Sequence, residues 1–192
     1  MKLESLKDGT AVLIREPTRD DVAAWHRFFL NLSPEERRYL RFDVTRSEQV
    51  EKMARQAETG EVFRLLAFKG DTVVANGALE FRGEGWRRHM AEIRVVVEPA
   101  FRRLHLGALM IQSLFETAKS REVEAVEVNL VEPQVDARKV CERLGFHLDA
   151  VLRDYVKDVD GKLQSMLVMS CALDEVSNAL RDFYAHDDWP DG

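Results

Sequence analysis

The segment Met90-Ala-Glu-Ile-Arg-Val-Val-Val-Glu-Pro-Ala-Phe-Arg-Arg-Leu-His-Leu-Gly-Ala-Leu-Met110 carries the residues best suited to chemistry. An apolar run passes into a short basic stretch and then directly into helical apolar spacing. A loop that opens into a helix presents N–H groups with no intrahelical partner, at the positive end of the helix dipole. Those donors run from about Leu104 to Leu109. Gly107 lets backbone approach a ligand closely, and Ala108 keeps the next position small. Arg102 and Arg103 add charge in the planar fork that suits phosphate. The combination asks for a phosphate-bearing ligand; the plainer alternative is a strand-to-helix connection with exposed arginines. His105 stands where a glycine would be easier to explain. The segment contains neither Gly-Lys-Ser/Thr nor Gly-x-Gly-x-x-Gly, so it is not a nucleotide loop of those kinds.

Elements of both periods surround this unit. Ala11 to Arg15 reads as a short strand. A first helix starts near Thr18, with Asp20 and Asp21 in its opening turn, and runs through Val22, Trp25, Phe28 and Phe29 to about Asn31. Ser33-Pro34-Glu35-Glu36 signals a second helix carrying Arg37, Arg38 and Arg41. Ser47 starts a third, to about Glu58. Strands follow at Val62 to Phe68, Thr72 to Phe81 and His89 to Val97. A helix with its apolar stripe on Leu106, Leu109, Met110, Leu114, Phe115 and Ala118 ends near Ser120. Ala125 to Val131 is a strand and Val135 to Leu144 a helix stopped by Gly145. Phe146 to Val159 and Lys162 to Leu173 form a hairpin about Asp160-Gly161. Residues 1–175 are expected to form one domain. Residues 176–192 are expected to add a helix through Val176, Leu180 and Phe183 and an acidic, frayed end. The order implies a mixed α/β sheet with the strand–loop–helix at its centre.

Composition narrows the function. The chain has 192 residues, is 45% apolar and 32% charged, and carries a formal net charge of −6. That balance disfavours general nucleic-acid or anionic-membrane binding, so any anion site is local. The only cysteines are Cys141 and Cys171, without a close Cys or His partner; this argues against a disulfide framework or a zinc site and suits a reducing compartment. With no signal-like or membrane-length apolar run, a cytoplasmic protein without a metal is expected. Alternation along the central strand sets Glu92, Arg94 and Val96 on one face and Ile93, Val95 and Val97 on the other. Glu92 then reads as a charge on a solvent face, within reach of Arg94. Arg82, Arg87 and Arg88, with the second-helix arginines, read as a solvated face; the alternative is the lining of a cleft that would attract an acidic partner and repel a free polyamine.

Two stretches resemble landmarks of the GNAT N-acetyltransferases. The family's Arg/Gln-x-x-Gly-x-Gly/Ala loop is similar to Arg102, Arg103, Leu104, His105, Leu106 and Gly107. Ala137-Arg-Lys-Val-Cys-Glu-Arg-Leu-Gly-Phe146 is similar to the helix that ends in Leu-Gly-Phe in that family. The order of elements matches from about Ala11 to Leu173. The chain further resembles bacterial protein-lysine acetyltransferase domains through Phe28-Phe29, Leu32-Ser33 ahead of Glu36, Arg41-Phe42 and Ala91-Glu92.

The resemblance implies a GNAT fold: a mixed, mostly antiparallel sheet of about six or seven strands flanked by helices. It implies acetyl-CoA as co-substrate, with the central strand splayed from its neighbour. The backbone of Val95, Val96 and Val97 would pair with pantetheine. The amides from Arg102 and Arg103 through Leu104, His105, Leu106, Gly107 and Ala108 would hold the pyrophosphate. Glu92 matches the family's general base, Cys141 stands where relatives place a tyrosine acid, and Gln134 replaces an asparagine. The acceptor would be a primary amine, in a small molecule or a protein lysine, attacking the thioester directly. A homodimer is compatible with this reading. Because His105, Gln134 and Cys141 depart from the pattern, the alternative is a GNAT-fold acyl-CoA-binding or regulatory module with impaired turnover.

Overall fold

The structure is a computed structural model, and it describes residues 1–175. The helix expected within residues 176–192 lies outside the described residues. The elements are β1 (Lys2–Ser5), β2 (Ala11–Arg15), α1 (Val22–Asn31), α2 (Pro34–Arg38), α3 (Ser47–Glu58), β3 (Val62–Lys69), β4 (Thr72–Phe81), β5 (Met90–Val97), α4 (Leu106–Ser120), β6 (Ala125–Val131), α5 (Val135–Arg143), β7 (His147–Lys157) and β8 (Leu163–Ala172). All eight strands join one sheet in the order β1-β2-β3-β4-β5-β6-β8-β7. Adjacent strands are antiparallel except β5 and β6, which are parallel and linked through α4.

The sheet has one strand more than the six or seven expected. β1 has a single large apolar residue, Leu3, and that side chain is exposed. Its strand state comes from pairing with β2, a non-local contact that no local pattern announces. The α1 region starts as Thr18 foretells. The Asp21 carboxylate accepts from the Thr18 N–H at 2.6 Å and closes a capping box around a single 3-10 turn, Arg19–Asp21, ahead of α1. In α2, the Glu36 N–H donates to Ser33 Oγ at 3.2 Å and the Ser33 N–H donates to Glu36 Oε2 at 2.9 Å. α2 ends at Arg38, so Arg41 belongs to the α2–α3 connection rather than to the helix.

Helices cover both faces of the sheet. On one face α4 buries Leu106, Met110, Leu114 and Phe115 against Ala91, Ile93 and Leu79, and Val95 and Val97 pack on this cluster. On the other, Trp25, Phe28 and Phe29 of α1 and Val50 and Met53 of α3 cover Leu66, Phe68 and Val73, with Val96 beside them. The alternation along β5 thus sorts its valines between two cores. α4 packs tightly on β4 at Gly77, where an added Cβ would lie 3.0 Å from Met110 Cε and 3.2 Å from Leu114 Cδ1. Gly77→Ala is expected to cost about 1–2 kcal/mol, since overpacking outweighs the entropy gained by replacing glycine. A thermal melt would register this as a fall of roughly 2–8 °C.

Candidate active site

β5 and β6 pair only over Met90–Glu92 against Ala125–Glu127. Beyond that point β6 keeps its antiparallel partner β8 as far as Val131↔Met166, while β5 keeps β4 as far as Ala75↔Val97. The two parallel strands therefore diverge after Glu92 and leave a wedge between them. The Glu98 N–H donates to the Val74 carbonyl of β4 at 2.9 Å. Antiparallel alternation then points the polar backbone of Arg94 and Val96 at β4, and that of Val95 and Val97 into the wedge. The Val97 carbonyl confirms the direction, because it accepts from Arg102 Nε at 3.1 Å rather than from β4.

The wedge opens toward the N-terminus of α4. The first intrahelical bond there runs from the Leu109 N–H to the His105 carbonyl at 3.1 Å. The amides of Leu106, Gly107 and Ala108 precede it and have no intrahelical partner. Leu106 and Ala108 anchor the turn with buried side chains. At Gly107 an added Cβ would meet only Val97 Cγ2, at 3.8 Å, so this position of the turn is uncrowded on its side-chain side. The wedge thus offers the backbone groups of Val95 and Val97, and the α4 turn these three amides, to a ligand. Arg102 supplies less than its position suggests, because its guanidinium is held by Glu36 and by the Val97 carbonyl. The Leu104 carbonyl accepts from the Lys7 N–H at 3.3 Å, which ties the loop to the β1–β2 turn.

His105 has φ 67°, and Arg103 φ 62°. The turn into α4 needs a left-handed residue at position 105, which glycine adopts freely and histidine at a cost of about 1 kcal/mol. The glycine of the family pattern is thus explained by backbone conformation at this position. His105→Gly is expected to raise the melting temperature by a few degrees while leaving acetyl-CoA affinity unchanged in a calorimetric titration. Tighter binding by more than a few-fold would show instead that the imidazole obstructs the ligand.

Glu92 sits where the wedge begins, on the face away from α4. Its side chain is 1% exposed, so the solvent-face expectation is corrected: this carboxylate is buried. It accepts from Arg41, from Arg82 Nη2 at 2.9 Å and from Arg94 Nη1 at 3.3 Å. Arg82 Nη2 also donates to Glu127 Oε1 at 2.6 Å, and Glu127 takes further bonds from Arg87 and from Asn129 Nδ2 at 2.9 Å. Arg94 Nη2 reaches Glu80 at 2.7 Å, with Arg41 Nη1 at 3.6 Å from the same oxygen. Register explains the convergence, since Glu80 pairs with Glu92 and Glu92 with Glu127 across three strands. Arg41, Arg82 and Arg87, read from sequence as solvated, are counter-ions to this row. Burial pushes Glu80 and Glu127 upward, but their hydrogen bonds and the surrounding arginines outweigh it and hold both below the usual glutamate value.

Cys141 packs in the α4-side core, where burial pushes its thiol up to about 12. At that value it holds its proton too tightly to give it to a thiolate at neutral pH. Gln134 precedes α5 and accepts the Val131 N–H on Oε1 at 2.8 Å, fixing the turn at the open end of β6. The sequence reading missed Glu80 and Glu127, which flank Glu92 across the sheet, Asn129, which bonds to Glu127, and Arg64 in the next row. Each lies on a strand whose place in the sheet depends on non-local pairing. No group of residues able to hold a metal occurs among the described residues, and none of their helices is long and apolar enough to cross a membrane.

The fold recurs in solved structures. The GNAT domain of S. lividans PAT matches with a TM-score of 0.72 at 17% identity, over 89% of this chain and 96% of that one. A Salmonella typhimurium protein, yncA, solved with its cofactor acetyl-CoA, matches with a TM-score of 0.71 at 16% identity, over 84% and 94%. A GNAT-family acetyltransferase from Streptococcus pneumoniae gives 0.70 at 20% identity, over 84% and 99%. No curated protein matches the sequence. The acetyltransferase (GNAT) family model matches residues 21–146, which span α1, the wedge, the α4 turn and α5. On that match the chain belongs to the GNAT acetyltransferase family.

Proposed function

We propose that the chain moves an acetyl group from acetyl-CoA to a primary amine, with a protein lysine as one candidate acceptor. The observation that carries this is the divergence of β5 from β6 after Glu92, which leads to the free amides of Leu106, Gly107 and Ala108. In this reading the wedge takes pantetheine along Val95 and Val97, and the α4 amides take the pyrophosphate. The amine approaches from the α1–α3 face and attacks the thioester carbonyl. A C–N bond forms, the C–S bond breaks and the sulfur leaves as thiolate. Lysine has an ordinary pKa near about 10.4, so a proton must leave the ammonium before attack. Glu92 takes that proton through water, at the apex of the wedge and on the acceptor side. Arg41 reaches Glu92 from the α2–α3 connection and yields its place to the acceptor. The thiolate takes its proton from solvent, and Cys141 serves packing.

Incubation of the purified chain with acetyl-CoA and a mixture of amines and lysine peptides, followed by mass spectrometry, tests this. Acetylated amine and free CoA are expected in equal amounts. Acetyl-CoA binding without any acetylated product would instead support the regulatory alternative.

A further inference from the structure

Across the face that carries Glu92, the next row toward α1 is Arg64, Ala78 and Arg94, set by the register Arg64↔Ala78 and Ala78↔Arg94. Arg64 is 3% exposed and, among the described residues, makes no ion pair within 4 Å. Its Nε has no hydrogen-bond partner among the described residues. Its guanidinium carbon lies 5.7 Å from the ring centre of Trp25, itself fully buried with an indole N–H unmet among the described residues. One row further, Asn76 is buried with its Oδ1 unmet among the described residues. Desolvation, reinforced by the like charge of Arg94 and only partly opposed by Glu80 and Glu61 beyond ion-pair distance, brings Arg64 down to about 10. A buried charge without a counter-ion is expensive, and a buried donor without an acceptor adds to that cost. Here the strain falls on one spot, where two unmet donors and a positive charge adjoin Arg94 on the face from which an amine approaches.

We propose that Arg64, with Trp25 Nε1, is an anion subsite that holds a carboxylate of the acceptor, making the preferred acceptor an amine that also bears a carboxylate, such as an amino acid or an acidic peptide. The proposal rests on the transferase reading for the identity of the acceptor, not for the existence of the subsite. A carboxylate offers lone pairs to both unmet donors and supplies the missing charge. Asn76 Oδ1 accepts an N–H of the same molecule. On this face Arg41, Arg64, Arg82, Arg87 and Arg94 outnumber Glu80, Glu92 and Glu127, in a chain whose net charge is −6. That local excess favours an acidic acceptor and disfavours a polyamine. Arg41 covers the neighbouring row at Glu80 and Glu92, and the acceptor enters by displacing it.

Thermal-shift titration with L-glutamate and with its diamide tests the subsite, because the two share a skeleton and an amine and differ only in carboxylates. Glutamate is expected to raise the melting temperature of the wild type by more than the diamide does. Arg64→Met is expected to melt higher than the wild type without ligand, and to respond to glutamate no more than to the diamide. Arg64→Lys keeps a reduced response. Equal responses of the wild type to the two ligands, or a glutamate response undiminished in Arg64→Met, would overturn the proposal. A larger response to inorganic phosphate than to glutamate would overturn the carboxylate assignment. A parallel titration with acetyl-CoA separates the two claims. Both proteins should respond to it equally, and a silent wild type would count against the transferase reading while leaving the glutamate comparison intact.

Discussion

Glu92→Gln is expected to slow acetyl transfer by about 10²- to 10⁴-fold, the span typical of losing a general base. The substitution conserves shape and removes both the charge and the capacity to take a proton. Its amide oxygen can keep the Oε1 place that accepts from Arg41 and Arg94, while Arg82 loses its Oε2 acceptor and retains Glu127, so the shape is kept and part of the pairing is lost. Acetyl-CoA should still bind, because the wedge and the α4 amides do not depend on this side chain. The informative measurement is therefore a pair: transfer rate at saturating acetyl-CoA, and acetyl-CoA affinity by calorimetry. A large fall in the first with little change in the second is expected. Activity within three-fold of wild type would remove Glu92 from the chemistry and leave it as a counter-ion.

Arg82→Met should cause the largest loss of stability. Arg82 bridges the two most buried carboxylates of the sheet, at 2.9 Å from Glu92 and 2.6 Å from Glu127. Breaking a buried ion pair by removing one partner typically costs about 3–5 kcal/mol, because the survivor stays buried and uncompensated. Arg82 is 24% exposed, and Arg41, Arg87 and Arg94 remain, so we expect about 2–3 kcal/mol, or a melting temperature lower by roughly 4–12 °C. The sign of the pH dependence follows from the carboxylates. Glu80 and Glu127 have folded values below their unfolded ones, so their contribution is fully present above the unfolded glutamate value near about 4.3. It disappears as pH falls through the folded values. The gap between wild type and Arg82→Met in urea melts should hence close below about pH 4. Pairing Arg82→Met with Glu127→Gln should restore part of the loss at neutral pH.

Local signals located most of the elements, while the sheet's pairing had to come from structure. The Ser33 capping box, the apolar stripe of α4 and the Asp160-Gly161 turn each rest on neighbours within a few residues, and each falls where the pattern says. β1 and the end of α2 before Arg41 escaped because pairing and tertiary contacts decide them. At the site, the helix N-terminus and Gly107 were legible as an anion loop. Glu92 was legible as a charge on a strand, but its burial was not. Burial came from residues distant in sequence, Arg41, Arg82 and Glu127, brought together by the order β4-β5-β6. Arg64 left no local mark at all, since an arginine in an apolar strand usually turns to solvent. His105 looked like an obstruction and sits at a left-handed turn, a distinction that only φ resolves.

Hydrogen exchange with and without acetyl-CoA tests the central claim most directly, because the account assigns the ligand to named backbone amides. Slower exchange is expected at Val95 and Val97 in the wedge and at Leu106, Gly107 and Ala108 at the start of α4, with little change in β7. Acetyl-CoA binding that leaves those amides unprotected, or protects a different part of the sheet, would contradict it.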